Sequence, residues 1–86
     1  MPTVSEFFGI LILMYYSDHA PPHFHAKYGE YEALIQISPL GVLKGNLPPR
    51  ALSLVIEWAQ RHQKELMEDW DYATNNKKLH KIPPLQ

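Results

Sequence analysis

Pro21 and Pro22 stand side by side in the stretch Asp18-His19-Ala20-Pro21-Pro22-His23-Phe24-His25, and no other feature restricts the fold as tightly. Each proline ring holds φ at about −65°, removes a backbone donor and disfavours helix at the residue before it. Ala20 to Pro22 are therefore extended. His23 to Tyr28 then reads as a β-strand. Side chains alternate across a strand, so His23 and His25 share one face and Phe24 takes the other. His19, just ahead of the prolines, is placed to fold back over the histidine face.

The strand from His23 to Tyr28 meets a second, Tyr31 to Ile37, across Gly29-Glu30. Glycine at the first central position suits a two-residue type II′ turn. That register sets Tyr28 opposite Tyr31, Lys27 opposite Glu32, Ala26 opposite Ala33, His25 opposite Leu34, Phe24 opposite Ile35 and His23 opposite Gln36. One face then gathers Phe24, Ala26, Tyr28, Tyr31, Ala33, Ile35 and Ile37. The other gathers the histidines with Lys27, Glu32, Leu34 and Gln36. Lys27 and Glu32 form a favourable cross-strand charge pair.

Upstream, Phe7 to Tyr16 is apolar on both alternating faces, which predicts a first strand at about 7–16, central and covered on both sides. Downstream, Ser38-Pro39-Leu40-Gly41 is a turn, and residues 42–44 form a short fourth strand. One long helix is expected over about 48–74. Asn46 or a neighbour caps it and proline occupies its first turn. Ala51, Leu52, Val55, Trp58, Ala59, His62, Leu66, Trp70 and Ala73 make its core stripe, while Glu57, Arg61, Lys64, Glu65, Glu68 and Asp69 fall on the solvent side. Asn75-Asn76 is the stop signal. A tail at 77–86 follows, with Leu79, Ile82 and Leu85 docking on the sheet. The expectation is a single α+β domain: a three- or four-stranded antiparallel meander with one long C-terminal helix packed on the Phe24/Ile35 face. A single helix leaves the second sheet face for the tail or for another subunit.

Eighty-six residues bury one modest core. An apolar fraction of 45% indicates a folded chain. Eight basic residues against nine acidic ones give no overall electrostatic case for nucleic acid or anionic membrane. The absence of cysteine excludes disulfides and thiolate metal sites. The apolar run of ten residues is about half a membrane span, and no basic segment precedes it, so a cytoplasmic protein with no signal peptide is expected.

The candidate chemistry follows from the residue types. His19, His23 and His25, with Asp18 or Glu32 supplying oxygen, have the makings of a site for a divalent metal such as zinc. A structural alternative has His23 and His25 bonding Gln36 or backbone groups at a strand start. Ser17 beside Asp18-His19 makes no catalytic triad by adjacency alone. His62, on the helix stripe, is a partly buried, hydrogen-bonded residue. Lys77, Lys78, His80 and Lys81, with Arg50 and Lys44 near the helix start, are the cations available to a phosphate backbone.

The tract Asp18-His19-x-Pro21-Pro22-His23-Phe24-His25-Ala26-x-Tyr28, then Gly29 and Tyr31-Glu32-Ala33, resembles a known family. So do Pro2-Thr3-Val4-Ser5-x-Phe7-x-Gly9-Ile10 and Leu47-Pro48-x-Arg50-Ala51-Leu52 leading to Glu57-Trp58-Ala59. The family is the small prokaryotic domain of unknown function 4160, and the resemblance covers nearly the whole chain. It implies a one-domain bacterial or archaeal protein, with a partner encoded alongside it in a toxin–antitoxin-like pair. It implies no activity. Leu13 departs from the polar or basic residue expected there, which implies a drier histidine-side face.

Three functional expectations result. The first is a partner-dependent module, half of a toxin–antitoxin-like or regulatory pair, acting with a second copy or a neighbouring gene's product and not an enzyme by itself. The second is a metal-binding protein or metal-dependent enzyme using His19, His23 and His25. The third is a nucleic-acid binder using Lys77, Lys78, Lys81 and Arg50.

Overall fold

The computed structural model describes residues 3–16 and 18–86. Strands β1 (Thr3–Phe7), β2 (Ile10–Leu13), β3 (His23–Tyr28), β4 (Tyr31–Gln36) and β5 (Gly41–Asn46) precede helices α1 (Pro49–Arg61) and α2 (Gln63–Thr74). Sheet order follows chain order, with every neighbouring pair antiparallel. The α+β meander is as expected. Its counts are not: the described residues form five strands rather than three or four, and two helices rather than one.

The extra strand comes from the apolar run. Phe8 and Gly9 both have positive φ, 50° and 79°, the pattern of a type I′ turn. Phe7 therefore pairs with Ile10, and the expected strand at 7–16 is instead a hairpin from Thr3 to Leu13. β1 becomes a sheet edge, not a doubly covered centre. Phe7, Ile10, Ile12 and Met14 enter the core, while Phe8 is left 62% exposed at the turn. Phenylalanine carries no turn signal, so composition hides this reversal.

The β3–β4 register matches the expected one at all six positions. Gly29 supplies the positive φ that its turn needs. Phe24, Ala26, Ala33 and Ile35 are fully buried. Lys27 does face Glu32 across the ladder, but the Glu32 carboxylate turns to His25 instead.

β5 is longer than the expected 42–44. Leu34 pairs with Lys44 and Ile35 with Val42, so Leu43 bulges out. Gly45 has φ of 79°, and a Cβ there would collide with the Glu32 carbonyl oxygen. Because Gly45 and Asn46 are taken into the ladder with Ala33 and Glu32, Asn46 does not cap α1. Pro48 holds that position, without a side-chain cap, and Pro49 opens the helix.

The helix expected over 48–74 breaks at His62, with no proline or glycine to announce it. His62 has φ of −126°, and its N–H bonds the Ala59 carbonyl one residue short of helical spacing. Local polar contacts hold the break: Gln63 Nε2 donates to the Ile37 carbonyl at 2.7 Å, and His62 Nδ1 lies 2.6 Å from Glu65 Oε1. The core stripe survives it. Ala51, Val55, Trp58 and Ala59 of α1 and Leu66, Trp70 and Ala73 of α2 join one cluster with Phe24, Ile35 and Ile37. Trp58 packs its ring 6.0 Å from Phe24 and 5.3 Å from Phe7.

The tail runs as a strap between β1 and the helices. Ile82 N–H bonds the Val4 carbonyl, Lys81 Nζ the Thr3 carbonyl, and Trp58 Nε1–H the Pro83 carbonyl. Ile82 and Leu85 are buried in the core. Asp69, expected on the solvent side of the helix, is only 1% exposed. Its Oδ1 accepts the His80 N–H, and its Oδ2 has no hydrogen-bond partner. Burial pushes the Asp69 carboxyl above its ordinary value, against the opposing His80 N–H and imidazole. Among the described residues, no helix is long and apolar enough to cross a membrane.

Candidate metal centre

Strand alternation puts His23 and His25 on one face of β3, and the loop before the prolines carries Asp18 to the same place. Asp18 Oδ2 lies 3.1 Å from His23 Nε2 and 3.1 Å from His25 Nε2. One ligand atom from each of the three residues falls within 4.8 Å of the others. The far side of each ring is also engaged. His23 Nδ1 is 2.8 Å from the Pro21 carbonyl oxygen, and His25 Nδ1 is 3.1 Å from Glu32 Oε2. His23 is 4% exposed, with its ring 5.2 Å from that of Trp70. The Tyr15 ring meets His25 edge-on at 4.5 Å. Leu13, buried outside the main core, stands directly across from His25.

The protons decide what this arrangement can do. A neutral imidazole has one N–H and one lone pair. The Pro21 carbonyl only accepts, so His23 Nδ1 carries hydrogen. The Glu32 carboxylate asks the same of His25 Nδ1. The lone pairs of both Nε2 atoms would then point at a carboxylate oxygen that has no proton to offer. The contacts are satisfied either by two extra protons shared among the rings and carboxylates, or by a cation among the two Nε2 atoms and Asp18. Protonating Asp18 serves only one ring. With protonated rings its carboxyl is held below the ordinary value: burial acts against this, but the hydrogen bonds from His25 and the His19 N–H, with the charges on His23 and His25, prevail.

The contacts on the two Nδ1 atoms are those a metal-binding histidine uses. A carbonyl or carboxylate on the outer nitrogen fixes the tautomer and turns the inner lone pair to the metal. Glu32 takes that outer role at His25.

The structure brings together Asp18, His23 and His25, with Glu32 behind them. The His19 side chain is not among the converging groups: the residue is exposed, and its backbone N–H donates to Asp18 Oδ1 at 2.8 Å. Ser17 lies outside the described residues. The expected backbone partner at the strand start is the Pro21 carbonyl, on His23, while Gln36 donates to the Ser38 carbonyl instead. Sequence reasoning missed Tyr15 and Trp70, which had no signal. His62 is half-buried against Trp58 and bonded to Glu65. Lys77, Lys78 and Arg50 are exposed, and Lys81 is engaged with the Thr3 carbonyl.

No curated protein and no solved structure matches the chain. A family model does, over residues 9–71, a span that includes Asp18, His23, His25 and Glu32. With that match over well more than half its length, the chain belongs to the family described as domain of unknown function DUF4160.

Proposed function

We propose that this protein binds one divalent cation through His23 Nε2, His25 Nε2 and an Asp18 carboxylate oxygen, and that the bound ion is its functional centre. The observation behind this reading is the shared Asp18 Oδ2, 3.1 Å from both Nε2 atoms while both Nδ1 atoms face acceptors. One divalent ion replaces the two extra protons the site otherwise needs. Two imidazoles and a carboxylate suit zinc. Three protein ligands leave a position for water or substrate, the pattern of catalytic rather than structural zinc. Calorimetric titration of zinc into chelator-treated protein tests this. One site per chain is expected, abolished in His25→Ala and weakened about 10–100-fold in Glu32→Gln. Folded protein that takes up no zinc, or binds it unchanged in His25→Ala, contradicts the reading.

A second reading, the partner-dependent module of a two-gene pair, has its own support. Phe8 and Tyr28 are exposed and line a cavity of about 220 Å³ with Ile10, Pro48, Arg50 and Leu54. Tyr31, also exposed, pairs with Tyr28. Exposed aromatics beside an arginine are the residue types that dominate binding hot spots. Co-expression with the products of the flanking genes tests it. A complex weakened in Phe8→Ala supports it, and a chain that stays monomeric and alone rules it out.

A further inference from the structure

The helices cover one face of the sheet, and the registers place unpaired cations on the other face beside the candidate centre. Leu13, His25, Leu34 and Lys44 are successive partners from β2 to β5 and form one row. Leu11, Lys27, Glu32 and Asn46 form the next. Residues two apart in a strand lie about 7 Å apart, and residues two strands apart about 10 Å. Lys27 and Lys44 therefore lie about 7 and 10 Å from His25 across the sheet, on the side where its Nδ1 meets Glu32.

Neither lysine is in an ion pair among the described residues. The carboxylate that faces Lys27 across the ladder, Glu32, is held by His25. The local charge is then simple to count. Asp18 and Glu32 contribute two negative charges, and a divalent ion cancels both. Lys27 and Lys44 remain as two uncompensated positive charges. At the β1 edge, Glu6 shares the Leu11 row, two strands from Lys27.

We infer that the metal centre takes a dianionic tetrahedral oxyanion, the phosphoryl group of its substrate or ligand, with one oxygen on the ion and others toward Lys27 and Lys44. This rests on the metal reading above. A carboxylate supplies one charge and two oxygens; a phosphoryl dianion supplies two charges and oxygens enough for the ion and both ammonium groups. Lysine recognises phosphate as a point charge and needs no fixed fork geometry, which suits a half-buried Lys27 and an exposed Lys44.

The test uses full-length protein loaded with one Co²⁺ per chain, desalted, and titrated with inorganic phosphate while the visible spectrum of the bound cobalt is followed. A saturable spectral change is expected. Lys27→Ala/Lys44→Ala should keep the starting cobalt spectrum, which reports an intact site, and bind phosphate at least about tenfold more weakly. Acetate should bind more weakly than phosphate. Loaded protein that ignores phosphate, a double variant that binds it as the wild type does, or acetate that binds as tightly each overturns the oxyanion inference and leaves the ion site standing. Protein that takes up no cobalt overturns the metal reading, and this inference with it.

Discussion

At Asp18, one oxygen serves two rings, and much of the site's chemistry follows from that sharing. The pairing of His23 with His25 was legible because strand alternation is geometric. The place of Asp18 was half legible: it was one of two named oxygen donors, but loop paths carry no periodicity, and the loop presents the Asp18 carboxylate where the His19 ring was expected. The lowered Asp18 value has a sign. A carboxyl depressed by folding contributes stability that is present above its ordinary value of 3.8 and lost as pH falls through the folded value. In metal-free protein, urea unfolding across an acid pH series should show the wild type's advantage over Asp18→Asn shrinking on acidification. An advantage that holds or grows there contradicts the assignment. Gly45 is a second residue with a narrow tolerance. Its positive φ costs another residue about 1–2 kcal/mol, and the Glu32 carbonyl blocks a Cβ. Gly45→Ala should therefore destabilise by about 2 kcal/mol or more, read as a lower denaturation midpoint.

Among the elements, β3 and its register with β4 were readable to the residue, and β4 (expected to end at Ile37) to within one, because Gly29-Glu30 fixes the turn and the turn fixes the register. β1 and β2 were fused because Phe8, with its positive φ, stands where asparagine or glycine normally announces a reversal. The helix break was invisible because it is held by Gln63 on Ile37 and His62 on Glu65, and not by a breaker residue. Asp69 was misplaced because the tail that buries it arrives eleven residues later. That strap makes two predictions. Trp58→Phe removes the bond to the Pro83 carbonyl, should cost about 1 kcal/mol, and should speed proteolysis within 77–86. Asp69 has its value raised by burial, so its contribution is present below the ordinary carboxylate value and lost as pH rises through the folded one. The stability difference between wild type and Asp69→Asn should therefore move against the wild type as pH rises through that range, measured by denaturant unfolding. No change with pH would place Asp69 in a wetter site.

For the whole molecule, the helices and strap close one side of the sheet and leave the histidine side to the loop, Tyr15 and the edge of Trp70. An ion there ties the loop to β3, so binding and folding are linked. A ligand at 100 times its dissociation constant adds about 2.7 kcal/mol to stability. Zinc should raise the melting temperature of the wild type and leave that of His25→Ala unchanged. Most direct is native mass spectrometry of untagged protein, wild type beside His23→Ala and His25→Ala, after exposure to stoichiometric zinc. One ion per wild-type chain, with none in either variant, is the expected result. Folded wild type that carries no ion, or variants that carry as much, would make the histidine pair a structural clamp on Asp18.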